Sequence, residues 1–222
     1  MTNSNKSLIN IVLDRSGSMS SIRNDMISGF REFIQDQRKN ANGREINVGL
    51  YRFDDIFEEV FAQKNLSDDR VFLNNENFVP RGGTALLDAV GKSINIVGER
   101  LAKMPENDRP ERVLFFIITD GQENASKEFT RARIKEMIDQ QEKKYNWRFI
   151  FLGSNIDSFA EAGSLGLQTN RVMNYASNAQ GTSNVFRSMS KSLTSYYDGV
   201  ATMDFCVNEE DREAVAKGDK SI

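Results

Sequence analysis

The sequence predicts one α/β domain, built as a doubly wound, mostly parallel sheet flanked by helices. Three observations lead to this fold class. Apolar runs of strand length alternate with amphipathic helical patterns, two of these runs end abruptly at an aspartate, and no internal repeat or low-complexity segment interrupts the order. Strands that alternate with helices form βαβ units, in which neighbouring strands are parallel and helices cover the sheet.

The predicted strands are short runs rich in Ile, Leu, Val and Phe, as expected for strands that are buried on both faces. They lie within residues 7–14, 45–55, 111–124, 147–157 and 171–176. Residues 56–66 predict a further, short strand at an edge of the sheet.

The predicted helices repeat apolar residues at helical spacing, which gives each of them one face to bury. They lie within residues 19–39, 84–104, 127–145, 158–166 and 182–199. From about residue 199 this periodicity is lost. We therefore predict a domain at 5–198 and a C-terminal extension or tail at 199–222, within which "VATMDFCV" also suits a strand.

The composition is that of an ordinary globular protein of 222 residues, with 39% hydrophobic and 27% charged residues and a formal net charge of −3. No dense block of Lys and Arg is present, so we expect no nucleic-acid partner. No apolar run approaches a membrane span, and the first ten residues lack the pattern of a secretory signal. The only cysteine, Cys206, fits a reducing compartment, and we expect a cytoplasmic protein.

Histidine is absent from the chain. Catalysis by Ser-His-Asp or Cys-His groups is therefore excluded, and so is a zinc site made of histidines or clustered cysteines. Any metal has to be bound by oxygen, which indicates a hard cation such as magnesium, manganese or calcium.

Polar side chains come directly after the apolar residues of the first predicted strand. Asp14 ends that strand, and Ser16 and Ser18 follow at alternate positions. A second apolar strand ends in the same way at Asp120 and Gly121. Because ligands of open α/β sheets bind beyond the carboxyl ends of the strands, these side chains are expected at a binding edge.

A third element, "PRGGTALLD", precedes the second predicted helix. Gly82 and Gly83 allow a close approach of the backbone, and Thr84 follows them either as a helix N-cap or as a ligand. Together these elements give an oxygen-only set of two carboxylates and three hydroxyls: Asp14, Asp120, Ser16, Ser18 and Thr84. We interpret this set as a metal site.

The motif D-x-S-x-S, the later threonine after two glycines, and T-D-G after a buried strand resemble the metal-ion-dependent adhesion site of von Willebrand factor A domains. The resemblance covers about residues 5 to 198 and all five site positions. It implies that Ser16, Ser18 and Thr84 are hydroxyl ligands and that Asp14 and Asp120 act directly or through water. It also implies binding rather than turnover, so no enzyme is expected.

The resemblance further implies a protein partner whose acidic residue completes the coordination of the cation. Mg²⁺ or Mn²⁺ is favoured over Ca²⁺ because the site is small and rich in hydroxyls. The compact chain is similar to stand-alone bacterial and phage proteins of this family. Some of these are adaptors beside tellurite-resistance or stress operons, and others work beside AAA+ ATPases.

Several alternatives stay open for single residues. Asp14, Ser16 and Ser18 also suit a solvated turn, with Ser18 or Ser20 capping the next helix. Arg15 and Met19 are expected to face solvent within the metal loop. The remaining polar residues beyond strand ends are candidates for the rim of the site or for solvated loops and caps: Asp54, Asp55, Gln122, Glu123, Asn124, Ser154, Asn155 and Asp157.

Two other functions are possible on the same fold. One is a magnesium-dependent hydrolase or phosphotransferase with Asp14 as a phosphoaspartyl nucleophile. Against it, Ser16 stands where such phosphatases carry a second acidic residue, and no G-x-x-x-x-G-K-[ST] loop is present. The other is a structural component, for example of a virion, in which the metal serves subunit contacts.

Overall fold

The computed structural model describes residues 2–154 and 157–197 and has one six-stranded sheet at its centre. The predicted tail at 199–222, the possible strand "VATMDFCV" with Cys206, and Asn155 all lie outside the described residues.

The strands occupy the sheet in the order β3-β2-β1-β4-β5-β6. All neighbours are parallel except β2 and β3, so the edge strand β3 is antiparallel. Their bounds are β1 (Asn3–Asp14), β2 (Glu45–Phe53), β3 (Phe57–Asn65), β4 (Pro110–Thr119), β5 (Arg148–Gly153) and β6 (Val172–Asn174). The predicted fold class and the predicted edge strand are therefore confirmed.

Helices cover both faces of the sheet. The helices α1 and α5 pack together on one face, whereas α2, α3 and α4 lie on the other. Their bounds are α1 (Arg23–Lys39), α2 (Leu86–Lys103), α3 (Arg131–Tyr145), α4 (Ser158–Ser164) and α5 (Ala179–Tyr197). The first helix starts later than predicted, because a 3₁₀ turn at Gly17–Ile22 precedes it.

Alternate residues of the central strand β1 supply two separate apolar clusters. Ile9, Ile11 and Leu13 face α1 and α5, whereas Leu8 and Val12 face α2 and α3. This alternation follows from the two-residue period of a strand, and it explains why β1 is apolar throughout. Within the described residues, no helix has both the length and the apolar character needed to cross a membrane.

Candidate metal centre

The two aspartates that end apolar strands lie on neighbouring strands. Asp14 is the last residue of β1, and Asp120 directly follows β4. These strands are parallel and Leu13 is paired with Ile118, so both carboxylates emerge at the same edge of the sheet. This is the carboxyl edge, where open α/β sheets bind their ligands.

The loop after β1 places two serine hydroxyls between these carboxylates. The Ser16 amide donates to Asp14 Oδ1 at 2.6 Å, which folds the loop back over the strand end. Ser16 Oγ lies 3.0 Å from Ser18 Oγ, and Ser18 Oγ donates to Asp120 Oδ1 at 2.6 Å. The Ser18 hydroxyl therefore bonds to the opposite carboxylate and does not cap the following helix.

The third hydroxyl, that of Thr84, lies with the two serine hydroxyls around Gly121. A methyl group placed on Gly121 would lie 2.9 Å from Thr84 Oγ1, 3.6 Å from Ser18 Oγ and 3.7 Å from Ser16 Oγ. The N-cap of α2 is Ala85, whose side chain makes no capping hydrogen bond, and Thr84 precedes it. The interpretation of Thr84 as a helix cap is therefore wrong, and its hydroxyl belongs to the polar cluster.

The glycine loop can approach the strand ends because it lacks side chains. Gly82 has a positive φ of 66°, and a Cβ there would lie 2.4 Å from Asp55 Oδ2. The Gly83 amide donates to the same Asp55 oxygen at 3.1 Å, and the Gly17 amide donates to the Gly82 carbonyl at 3.2 Å. Asp55 is thus part of the scaffold that holds the loop.

The segment after β4 is tied to the start of α2. Asn124 Oδ1 accepts from the Thr84 amide at 2.9 Å, and the Asn124 amide donates to the Thr84 carbonyl at 3.1 Å. Glu123 accepts from the Leu87 amide at 2.9 Å and from the Ser126 hydroxyl at 2.7 Å. Asn124 thus bonds directly to the Thr84 backbone, and Glu123 ties the same segment to the first turn of α2; a role of either residue at the rim stays a prediction.

Asp88 completes this attachment from α2. Its carboxylate accepts from the backbone amides of Lys127, Glu128 and Phe129, each at 2.9 Å. Burial alone would raise the pKa of Asp88, but these three donors outweigh it and hold the pKa below its usual value. No sequence motif singled out Asp88, since an aspartate in the first turn of a helix is common.

Arg15 and Met19 are buried, so the expectation that they face solvent is wrong. Met19 packs in the core on the α1 side. Arg15 Nε lies 3.0 Å from Asp54 Oδ2, and Arg15 also pairs with Glu58. Arg81 Nε donates to the same Asp54 oxygen at 2.7 Å. Asp54, directly after β2, is therefore a buried carboxylate that forms ion pairs with Arg15, in the loop after β1, and with Arg81, next to Gly82.

The electrostatics of the site favour a cation. Asp14 is 0% exposed. Burial raises its pKa to about 7, even though the Thr119 hydroxyl and the Ser16 amide stabilise its charge. Burial also raises the pKa of Asp120. Both shifts show that the negative charge is poorly compensated by the protein, and a bound cation would offset it.

The donor set fits a hard cation. In residues 2–154 and 157–197, no three His, Cys, Asp or Glu side chains cluster, so hydroxyls have to supply part of any coordination shell. Asp120 accepts a bond from Ser18 on Oδ1 and has no hydrogen-bond partner on the buried Oδ2 within these residues, so this carboxylate can accept further ligands. All five predicted residues are brought together; that they hold a cation stays a prediction.

The chain belongs to the von Willebrand factor type A domain family, since the family model matches residues 9–193. Domains of this family commonly mediate metal-dependent protein interactions. No curated protein sequence matches the chain.

Solved structures show the same fold at low sequence identity. Proximal thread matrix protein 1 from the mussel byssus, with a zinc-occupied MIDAS motif, aligns with a TM-score of 0.62 and 16% identity over 85% of this chain and 46% of that one. The domain of the pilus tip protein Mfa5 from Porphyromonas gingivalis aligns with a TM-score of 0.61 and 12% identity over 89% and 97%. The pilus adhesin SpaC from Lactobacillus rhamnosus GG aligns with a TM-score of 0.66 and 14% identity over 86% and 31%. This chain thus spans less than half of the mussel protein and of the SpaC adhesin.

Proposed function

We propose that this protein is a metal-dependent protein-binding module. Its five polar residues hold Mg²⁺ or Mn²⁺, and a carboxylate of the partner protein completes the coordination. The observation that carries the proposal is the convergence of three hydroxyls on one point beside Gly121, between two buried carboxylates. The proposed ligands are Asp14, Ser16, Ser18, Thr84 and Asp120.

The protein's own residues would make the site receptive to an anion. A bound divalent cation would supply the positive charge that attracts the partner's carboxylate. Three of the five side chains are neutral hydroxyls, so they orient the site without cancelling that charge. Asp14 is fixed from two sides, because Oδ1 accepts from the Ser16 amide and Oδ2 accepts from the Thr119 hydroxyl at 2.6 Å.

The same contacts argue against phosphoryl transfer. A phosphoaspartyl nucleophile needs a carboxylate oxygen that can reach a substrate. Both oxygens of Asp14 accept hydrogen bonds, and the residue is 0% exposed. We therefore propose a binding protein without turnover.

For its biological setting, we propose an intracellular adaptor or assembly factor of the bacterial or phage type, similar to the tellurite-resistance-associated proteins. The support is compositional, since a single cysteine cannot form an intramolecular disulfide and suits a reducing compartment. Residues 5–198 would form the binding domain, and 199–222 would be an extension.

A capture experiment with matched variants tests this function. The protein is used as bait in a bacterial lysate with Mg²⁺, with EDTA, and with Ser16 and Ser18 both changed to Ala. Ser21→Ala is the matched control, because among the described residues the Ser21 hydroxyl bonds only to the Ser18 carbonyl, at 3.4 Å. A partner that needs both Mg²⁺ and the two serines supports the proposal. A partner captured equally in all arms, or turnover of a phosphate ester, contradicts it.

A further inference from the structure

A row of three polar side chains begins at Asp120 of the candidate metal centre and continues along the carboxyl edge of the sheet. In the sheet, Thr119 is paired with Gly153, and Gly153 is paired with Asn174. The residues that directly follow these three strands are Asp120, Ser154 and Tyr175. Two backbone bonds continue the ladder to this level, from the Ser154 amide to Thr119 O at 3.0 Å and from the Tyr175 amide to Gly153 O at 2.9 Å.

The row belongs to the face of the sheet that α1 and α5 cover. Ile118, Leu152 and Met173 pack in the apolar cluster of that face. Asp120, Ser154 and Tyr175 come two residues later, directly after the strand ends, where backbone bonds of Ser154 and Tyr175 still continue the ladder. Side chains two residues apart in such a ladder share a face. Tyr175 packs in the same cluster.

Each member of the row is buried and carries a polar atom without a partner. Asp120, Ser154 and Tyr175 are 3%, 1% and 3% exposed. Asp120 Oδ2, Ser154 Oγ and the Tyr175 hydroxyl have no hydrogen bond within the described part of the chain. The row therefore contains two hydroxyls that can donate and one carboxylate oxygen that can only accept. Buried polar groups without partners are costly, so a rearrangement that pairs these three with one another is favourable.

We propose that Tyr175 is a positioning residue for the metal centre. In the cation-loaded protein its hydroxyl, assisted by that of Ser154, donates to the free oxygen of Asp120 and so fixes the orientation of this carboxylate. The inference rests on the proposed function, because it assigns a role toward the same cation. Groups that orient metal ligands from behind strongly affect metal affinity.

Calorimetric titration with Mn²⁺ tests the proposal, combined with thermal unfolding of the metal-free protein. For Tyr175→Phe we expect Mn²⁺ to bind about 10- to 100-fold more weakly. The metal-free Tm should be unchanged or higher, because the variant removes a buried hydroxyl that lacks a partner. Ser154→Ala is the second variant and should weaken binding in the same direction.

Tyr197→Phe is the matched control. Tyr197 is also buried, but it lies at the far end of α5, where its carbonyl accepts from Arg44 at 3.0 Å. The inference is overturned if Tyr175→Phe binds Mn²⁺ with unchanged affinity. It is also overturned if Tyr197→Phe loses Mn²⁺ affinity to the same extent, or if the metal-free Tyr175→Phe protein has a lower Tm than the unmodified protein. If the unmodified protein binds no Mn²⁺, the proposed function fails and the inference fails with it. Binding that depends on Ser16 and Ser18 but not on Tyr175 refutes the inference alone.

Discussion

Replacing Asp88 by Ala should loosen the segment after β4. This segment includes Asn124, which bonds to the backbone of Thr84. The carboxylate of Asp88 accepts three backbone amides, each at 2.9 Å, and these are its attachment to residues 127–129. A hydrogen bond to a charged group contributes about 1.5–3 kcal/mol. Lys127 and Glu128 are exposed, so their freed amides regain water and much of this cost is recovered.

The net loss for Asp88→Ala should therefore be about 2–4 kcal/mol in the free energy of unfolding. For a domain of this size the melting temperature falls by about 5–15 °C. Asp88→Asn should lose less, because its amide oxygen still accepts from the Glu128 and Phe129 amides that bond to one carboxylate oxygen. Urea unfolding followed by circular dichroism measures each difference.

Asp139→Ala is the matched control for this prediction. Asp139 is a helical aspartate whose bond goes to the exposed Lys143 at 2.9 Å, one turn further along α3. Such surface pairs contribute about 0.3–0.5 kcal/mol, so its Tm should hardly move. The reasoning is refuted if Asp88→Ala is as stable as Asp139→Ala.

Three further predictions concern the site, the pH dependence and the core. Gly121→Ala should abolish Mn²⁺ binding in calorimetry and leave the circular dichroism spectrum intact, because its methyl lies 2.9 Å from Thr84 Oγ1. Since the folded pKa of Asp88 is lowered, its contribution to stability is present above the unfolded pKa and is lost as pH falls through the folded pKa. Acid titration of unfolding should therefore show a smaller loss for Asp88→Asn than for the unmodified protein. Gly29→Ala should lower the free energy of unfolding in urea by about 1–3 kcal/mol, because its methyl would lie 2.3 Å from the Phe186 ring. Gly163→Ala is the control: it lies in a helix with open space around it, so the free energy of unfolding should be unchanged or higher by up to about 1 kcal/mol.

The fold was predictable because hydrophobic periodicity is a local signal. Runs such as 7–14 and 111–119 are apolar throughout since both faces of β1 and β4 are covered. The start of α1 was placed too early, because residues 19–22 carry helical spacing but adopt a 3₁₀ turn. Local spacing does not distinguish these two helix types.

The contacts that support the site were not predictable from spacing alone. Arg15 looks like a solvent-facing loop residue, and only the folded chain brings Asp54 and Glu58 against it. Asp88 bonds to residues about 40 positions later, and Tyr175, which directly follows the short edge strand β6, comes to the level of Asp120 only through the sheet. Such long-range partners leave no periodic trace in a single sequence.

The central claim is that Ser16 and Ser18, with the two aspartates, hold a divalent cation. The most direct test is calorimetric titration of Mg²⁺ and Mn²⁺ into the unmodified protein and into the variant with both serines changed to Ala. We expect one saturable site in the unmodified protein and none in the variant, with both proteins folded at the temperature of the titration. The claim is contradicted if the unmodified protein binds neither cation, or if the variant binds with unchanged affinity.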